Sequence, residues 1–319
     1  MRRDSLTAVV LVASAAGCAK QESTPQDTTK NPATARAASG GAATATKLGE
    51  TTGMKTPESV RYDRDLDVYF VSNVNGNPSQ HDGNGFIAVV RADSTSVVKM
   101  LAESGKNAVT LDAPKGLAVT GDTLWVADID VVRRFNKRTG ASLGAVSLTG
   151  QKATFLNDVA VGPDGAIYVT DTGIAFDASG GTTHPGVDRI FRVAGNTVTE
   201  VARGDSLSNP NGITWDKANN RWLLAPSGGK DVQTMKPGDK NPTKLATGAG
   251  QYDGIEVLAD GRVLVSSWAD NAVHVIQNGQ MSTLVANVSG PADIGVDTKR
   301  NVLAIPRFND NKVEYYRIP

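Results

Sequence analysis

The sequence lacks several features that would point to particular classes of protein. Its 319 residues include a single cysteine, Cys18, so no intramolecular disulfide can form. Lysine and arginine total 33, as do aspartate and glutamate, and the resulting net charge of zero indicates neither a nucleic-acid nor a membrane-surface partner. No glycine-rich stretch has phosphate-loop spacing, so nucleotide binding has no support. The 39% hydrophobic content is nevertheless sufficient for an ordinary globular core.

The N-terminus is typical of a leader. Arg2 and Arg3 are followed by an apolar run, LTAVVLVASAA, that is too short to span a bilayer comfortably, and small residues then precede Cys18. This arrangement resembles the lipobox of a bacterial lipoprotein, which implies cleavage before Cys18 and lipidation of its thiol. A plain secretory signal cut near Ala16 and an uncleaved anchor are the alternatives. Residues 1–18 are therefore interpreted as a lipoprotein signal peptide with its cysteine.

Residues 19–55 are predicted to form a flexible tether. They are rich in Ala, Thr, Ser and Gly and have almost no large apolar side chains, so burial cannot offset the entropy of ordering. Ala19 replaces the aspartate that marks inner-membrane retention in the lipoprotein pattern, so we expect attachment to the outer membrane, facing the periplasm or the exterior. The N-terminal lipid would be the only membrane contact. The sequence carries no signal for an oligomeric state.

The folded unit is expected over residues 56–319 and to be all-β. Short apolar runs alternate there with clusters of Gly, Pro, Asn and Asp, and no stretch has a convincing helical period over a dozen residues. The same short pattern recurs six times: an apolar strand, a turn that often contains Asp-Gly or Asn, and a second strand richer in β-branched and aromatic residues. The six units align on the apolar residues Val60, Leu117, Val159, Ile213, Ile255 and Ile294.

The spacing of these units predicts a six-bladed β-propeller. Successive aligned residues are 57, 42, 54, 42 and 39 positions apart, close to the roughly 40 to 50 residues of a four-stranded blade. A jelly roll or sandwich would not produce a sixfold recurrence. The last unit ends after three visible strands, so residues near 46–49 are expected to supply its outer strand and close the ring.

One aligned column carries most of the chemistry. Two positions before the apolar residue, the six units have Glu58, Lys115, Asn157, Asn211, Asp253 and Ala292. Because innermost strands surround the propeller axis, this column predicts a ring of side chains near one mouth of the channel. Four of the six are oxygen donors, which hard cations prefer, and the absence of His and Cys from the ring argues against zinc. We therefore expect a Ca²⁺ site in the central channel, with Mg²⁺ or Mn²⁺ as alternatives; singly, such residues are more often turns or caps.

These motifs carry a family resemblance. The segments PESVRYD, LNDVAVGPDG, NPNGITWD and YDGIEVLADGRVLV resemble the gluconolactonase and regucalcin (senescence marker protein) family of six-bladed calcium propellers, over residues 57–319. Paraoxonase and the squid-type diisopropyl fluorophosphatase are relatives of that family. The resemblance implies that the catalytic divalent metal is held by Glu58, Asn157, Asn211 and Asp253. It also makes Asp253 a candidate base.

The chemistry expected of such a site is hydrolysis. A bound Ca²⁺ can polarise the carbonyl of a lactone or ester, and a nearby carboxylate can take the proton of the attacking water. We assign that catalytic role to Asp253. The expected partner is a small lactone, ester or sugar-derived substrate.

Substrate contacts are expected around the ring. Lys115 adds a cation that would bind a substrate carboxylate or phosphate, or replace a second metal. The ends of the second strands should face the same mouth, and they contribute Asn73, Asp171 and Trp268. Trp268 is a natural platform for a sugar ring, although packing between blades is the commoner fate of tryptophan.

Two aspartates lie beside ring positions. Asp158 is interpreted as orienting a ligand or a neighbouring strand from behind the ring, and a buried aspartate bonded to backbone at the start of a strand is the alternative. Asp293 follows Ala292, which leaves one side of the ring open, and offers a further carboxylate.

Two long insertions follow second strands, at 73–85 and 172–188, and are expected to form lids over one mouth of the channel. His81 and His184 lie in them, and His274 lies in a strand. The three histidines form no pattern, so no histidine dyad of the paraoxonase kind is expected.

Two functions from different classes are consistent with these observations. The first is an extracytoplasmic, metal-dependent hydrolase of lactones or related esters. The second is a non-catalytic, calcium-stabilised propeller of the NHL-repeat type that binds a protein, glycan or small ligand on its top face. The ring residues alone do not separate them, because a structural calcium needs the same oxygens.

Overall fold

The computed structural model describes residues 44–319. The predicted leader with Cys18 and the greater part of the predicted tether lie outside these residues. Within them no helix has the length and apolar character needed to cross a membrane.

The described chain forms six four-stranded antiparallel sheets, which confirms the predicted six-bladed β-propeller. Strand β1 (Thr46–Thr52) comes first. Blade 1 contains β2 (Pro57–Asp63), β3 (Val68–Asn73), β4 (Phe86–Arg91) and β5 (Val97–Glu103). Blade 2 contains β6 (Pro114–Thr120), β7 (Thr123–Asp128), β8 (Val131–Asn136) and β9 (Ser142–Ser147).

Blade 3 is interrupted by a small hairpin. Its chain order is β10 (Leu156–Val161), β11 (Ile167–Asp171), the hairpin strands β12 (Ala175–Phe176) and β13 (Thr182–Thr183), then β14 (Arg189–Ala194) and β15 (Thr197–Arg203). Blade 4 contains β16 (Pro210–Asp216), β17 (Arg221–Pro226), β18 (Asp231–Met235) and β19 (Thr243–Thr247).

Blade 5 contains β20 (Tyr252–Val257), β21 (Val263–Ser267), β22 (Ala272–Gln277) and β23 (Gln280–Val285). Blade 6 ends the chain with β24 (Gly295–Asp297), β25 (Val302–Arg307) and β26 (Lys312–Arg317). Three short 3₁₀ helices connect strands, at Thr149–Gln151, Asp205–Leu207 and Phe308–Asp310.

Strand β1 completes blade 6 by pairing antiparallel with β26, so the ring is closed by the first and last strands of the described chain. This is the closure expected for residues near 46–49. It also corrects the predicted tether, because residues 46–52 of the 19–55 segment are part of the propeller. Their few apolar side chains gave no signal of a strand, since an outer strand of a blade is largely exposed.

The hydrophobic core is divided among the contacts between blades. Phe70 of blade 1 packs in one cluster with Leu117 and Phe135 of blade 2, and comparable clusters fill the other interfaces. The six apolar residues on which the repeats align are all 1% exposed or less. Gly165 and Gly261 have φ of 76° and 86° in the turns after the first strands, where a side chain would be strained.

Candidate metal centre and active site

A β-bulge lies at the predicted ring position of every blade. In blade 1, Pro57 and Val60 pair with Asn73 and Val71, so three steps on β2 match two on β3. The same one-residue excess occurs in the other five blades. A bulge frees one residue from the ladder and re-aims its side chain. The freed segments contain Glu58, Lys115, Asn157, Asn211, Asp253 and Ala292.

Hydroxyl groups of the second strands fix these bulges in alternate blades. Ser72 accepts the N–H of Ser59 at 2.9 Å, Thr170 that of Asp158 at 3.0 Å, and Ser266 that of Gly254 at 2.8 Å. Each hydroxyl therefore replaces a ladder partner that the bulge removes.

Glycines allow the innermost strands to approach one another closely at this level. A Cβ on Gly116 would lie 2.4 Å from Cα of Asp158, and one on Gly212 would lie 2.1 Å from the carbonyl oxygen of Asp253. These glycines follow ring positions directly, so any larger residue would push adjacent blades apart. They therefore allow the innermost strands of neighbouring blades to lie against each other.

The four predicted metal ligands are buried and each keeps one oxygen without a hydrogen-bond partner. Their exposed fractions are 7% for Glu58, 4% for Asn157, 8% for Asn211 and 5% for Asp253. Within residues 44–319 the unpartnered atoms are Oε2 of Glu58 and Oδ1 of the other three. A buried polar atom without a partner costs about 1–3 kcal/mol. Four such atoms in one ring fit a hard cation, which takes oxygen ligands.

The pKa values of both ring carboxylates, Glu58 and Asp253, are raised above their ordinary values. Burial, with Asp253 and Asp293 nearby, raises the pKa of Glu58 well above its ordinary value, and Lys115 opposes the rise only in part. Burial and Asp293 likewise raise the pKa of Asp253 to about 8, against the hydrogen bond from Trp268. A cation in the ring would stabilise both ionised forms.

The proposed metal site depends on amide oxygens as well as carboxylates. Over the described ranges, no group of three or more His, Cys, Asp or Glu residues is arranged to hold a metal ion. The ring supplies two carboxylates, from Glu58 and Asp253, and completes the set with Asn157 and Asn211. Such a mixed oxygen set is compatible with Ca²⁺ and leaves positions for water or substrate.

Lys115 occupies the blade 2 position of the ring and is 1% exposed. Its Nζ donates to the carbonyl of Ala113 at 3.0 Å and lies 4.2 Å from the centre of the Phe155 ring. Burial lowers the pKa of Lys115 to about 8, while Glu58 acts in the opposite direction. Lys115 is thus a buried cation whose charge acts on Glu58.

Asp158 and Asp293, which directly follow ring positions, are buried and have different partners. Asp158 accepts the N–H of Val159 at 2.7 Å and, across the interface with blade 4, that of Ile213 at 2.8 Å. It therefore orients a neighbouring strand through backbone bonds, as both sequence interpretations allowed. Asp293 accepts the hydroxyl of Ser59, and its Oδ1 has no partner in the described part of the chain.

Asn73 and Asp171, two predicted substrate contacts, are fully buried and bonded to the protein itself. Asn73 accepts the N–H of Lys55 at 2.8 Å and donates to the carbonyl of Val71 at 3.0 Å. Asp171 accepts the N–H of Phe155 at 2.9 Å and pairs with Arg189 at 2.8 Å. Both side chains stabilise the loops that enter their blades, so the structure does not bring them to the ring opening.

Trp268 has a contact that the sequence did not reveal. Its indole Nε1 donates to Oδ2 of Asp253 at 2.8 Å, and its ring packs against Phe308 with centroids 5.7 Å apart. It is half-buried. Its position next to a candidate ligand makes it an orienting residue for Asp253.

The two insertions contact each other. Asn77 donates to the carbonyl of Asp177 at 2.9 Å, and the N–H of Phe176 donates to Ser79 at 2.9 Å. Phe176 also packs against Phe155, with ring centroids 5.7 Å apart. The insertions thus form one arch beside the Phe155 that contacts Lys115.

The three histidines have hydrogen-bond partners that are not ring residues. His81 bonds to Asp112 at 3.0 Å, and His184 bonds to Asp188 at 2.9 Å. His274 is 5% exposed on β22 of blade 5. Each is engaged with a local carboxylate or strand neighbour.

Comparison with known proteins gives the same architecture. The family model of the SMP-30/gluconolactonase/LRE-like region matches residues 57–295, a span that contains all four candidate ligands. A gluconolactonase from Xanthomonas campestris has a similar structure, with a TM-score of 0.66 and 18% identity over 86% of this chain and 91% of that chain.

Two further solved structures share the fold. One is a putative gluconolactonase with a TM-score of 0.64 and 18% identity, covering 87% of this chain and 92% of that chain. The other is a virginiamycin B lyase from Staphylococcus aureus, with a TM-score of 0.58 and 14% identity, covering 86% of this chain and 99% of that chain. No curated protein sequence matches the chain.

Proposed function

The chain belongs to the SMP-30/gluconolactonase/LRE-like family, and we propose that it is a divalent-metal-dependent hydrolase of lactones or related esters. The observation that carries this proposal is the ring of four buried oxygens without hydrogen-bond partners in residues 44–319. They come from four blades and from the positions that the sequence motifs single out.

The proposed ligands are the oxygens of Glu58, Asn157, Asn211 and Asp253. Calcium is the favoured ion because the donors are all oxygen and include neither His nor Cys, and Mg²⁺ or Mn²⁺ are the alternatives. A bound divalent cation would polarise the lactone or ester carbonyl and stabilise the charge that develops on its oxygen during attack by water.

Asp253 is proposed to take the proton of the attacking water. Its Oδ2 is held by the indole of Trp268, so the carboxylate has a fixed orientation. A carboxylate has about four lone-pair sites on its two oxygens. Oδ1 can therefore both face the cation and accept a proton. Trp268 contributes by holding the group in place rather than by reacting.

Lys115 is proposed to contact the substrate. Its ammonium group has three N–H donors, and Ala113 is its single acceptor within the described residues. The remaining donors suit a carboxylate or phosphate on the substrate, or the oxyanion formed during hydrolysis. The packing of Phe155 against the ammonium keeps it beside the ring.

The proposed location is outside the cytoplasm. The support is the leader pattern, in which a short basic segment, an apolar run and small residues precede Cys18. Lipidation of Cys18 would hold the protein at the outer membrane.

The test is hydrolysis of a panel of lactones and aryl esters by the full chain, with and without Ca²⁺, beside D253N. We expect turnover that requires the ion and that falls about a hundredfold or more in D253N, which loses the general base. Turnover that is unchanged both by removal of the ion and by the substitution would contradict the proposal.

A second candidate function is a non-catalytic propeller in which the cation is structural. The observation that favours it is the burial of the ring, since no proposed ligand is more than 8% exposed. Retained fold and metal binding, with no turnover across the whole panel, would support this alternative.

A further inference from the structure

Thr172 lies where the second strand of blade 3 ends and the insertion 172–188 begins. Its side chain is fully buried between blades 3 and 4. Its hydroxyl is 3.0 Å from Nδ2 of Asn157 and 2.8 Å from the carbonyl oxygen of Pro210. One atom thus touches a proposed ligand and the residue that precedes another proposed ligand, Asn211.

The two contacts of Thr172 determine which way the Asn157 amide faces. A hydroxyl has one proton, and the carbonyl of Pro210 can only accept, so Thr172 donates that proton to Pro210. Toward Asn157 the hydroxyl can then only accept, which requires the NH₂ group on that side. The amide oxygen must therefore face away, and Oδ1 is the Asn157 atom without a partner in the described chain.

A second threonine on the same strand end fixes the neighbouring backbone. Thr170 accepts the N–H of Asp158 at 3.0 Å and donates to the carbonyl of Asn211 at 2.7 Å. Residues two apart on a strand face the same side, so Thr170 and Thr172 both bridge from blade 3 to blade 4. Together they fix the distance between the bulge that carries Asn157 and the bulge that carries Asn211.

The far end of the insertion is attached to the same place. Asp188 accepts the N–H of Asn209 at 2.6 Å, next to Pro210. Both ends of 172–188 are therefore bonded immediately before Asn211, which restricts movement of Thr172 relative to the ring.

We propose that Thr172 is a positioning residue that presents Oδ1 of Asn157 to the metal. This inference rests on the proposed function, because it assumes that Asn157 is a ligand. Without the hydroxyl, the Asn157 amide is free to flip by 180°. The flipped orientation points its NH₂ group, instead of Oδ1, at the cation. Outer partners of metal ligands typically change affinity by about 10–100-fold when they are lost.

The test compares T172V, which loses the hydroxyl at nearly constant volume, with T172S, which keeps it. Calcium affinity of the full chain is measured by titration calorimetry, and kcat and KM are measured on any lactone that the wild type hydrolyses. T172A provides a second hydroxyl-free variant if T172V does not fold. The matched control is T234V, because Thr234 also donates to a carbonyl, that of Trp222 at 3.0 Å, but lies in the third strand of blade 4.

We expect T172V and T172A to bind Ca²⁺ about tenfold or more weakly, with kcat lowered, while T172S and T234V stay within about threefold of wild type. The unfolding temperature of the ion-free protein should fall more in T172V than in T234V, because the amide of Asn157 and the carbonyl of Pro210 both lose a buried partner. Affinities are therefore compared at a temperature at which every variant is folded, and T172S separates loss of the hydroxyl from any other change at this position. Calcium binding by T172V at wild-type affinity would overturn this inference and leave the proposed function standing. A wild type that binds no divalent ion would overturn both.

Discussion

The indole Nε1 of Trp268 donates a hydrogen bond of 2.8 Å to Oδ2 of Asp253. The other carboxylate oxygen, Oδ1, has no partner among residues 44–319. A half-buried tryptophan directly after the second strand of blade 5 therefore sets the direction in which the carboxylate faces the ring. This contact links a residue predicted to bind substrate to the residue predicted to react.

Replacement of Trp268 by phenylalanine should weaken the site without unfolding the protein. W268F keeps an aromatic ring against Phe308 but removes the N–H, so we expect Ca²⁺ affinity and kcat to fall about tenfold. The matched control is W125F, because the indole of Trp125 donates to Thr120 at 2.7 Å on blade 2. Equal effects in the two variants, or no effect of W268F, would show that the Asp253 contact is not important.

Loss of the charge of Lys115 should change substrate preference more than overall turnover. K115M should lower kcat/KM for lactones that carry a carboxylate or phosphate about tenfold more than for neutral lactones, because a charge-assisted hydrogen bond is lost. K115R, which keeps the charge, should retain the preference. The measurement is kcat/KM on paired charged and neutral substrates, and a uniform loss on both would contradict a substrate contact.

Closure of the propeller by β1 and β26 should make the free energy of unfolding depend on pH through Glu314. This buried carboxylate on β26 bonds Lys47 of β1 at 2.8 Å and Lys312 at 2.9 Å. Burial raises its pKa, but the hydrogen bonds from its basic neighbours outweigh burial and lower the pKa to about 2. Because the folded-state pKa is depressed, the stabilisation is present above the unfolded-state value and is lost as the pH falls from about 5 to 2.

The check is the free energy of unfolding by denaturant at a series of pH values. E314Q should reduce this free energy of unfolding by roughly 1–3 kcal/mol at pH 7. The free energy of unfolding of E314Q should also change less between pH 6 and pH 3 than that of the wild type. The comparison variant is E50Q, because Glu50 bonds the same lysines from an exposed position and should matter less. An unchanged pH profile in E314Q would contradict this account of closure.

The propeller itself could be predicted from the sequence because its blades are local repeats. Strand alternation and turn residues recur within each unit, so the six aligned apolar positions identified both the blades and the column of ring residues. The tether boundary was missed for the opposite reason. Strand β1 is defined by pairing with β26 at the other end of the chain, and an exposed outer strand has no apolar pattern of its own.

The partners of the polar residues could not be predicted, because they depend on contacts between blades. Thr170 bonds a residue 41 positions away, and nothing in the local sequence distinguishes it from an ordinary strand threonine. For the same reason Asn73 and Asp171 looked available to a substrate although both cap loops of their own blades. The bulges that re-aim the ring residues likewise appear only in the strand register.

The four unpartnered oxygens of the ring are expected to bind one divalent cation. Titration calorimetry of Ca²⁺ into the metal-free full chain tests it directly, with E58Q and N211L as ring variants and N219L, in the turn between β16 and β17, as the control. We expect one ion per chain, bound about tenfold or more weakly by E58Q and N211L and with unchanged affinity by N219L. Absence of binding by the wild type, or equal binding by the ring variants, would contradict it.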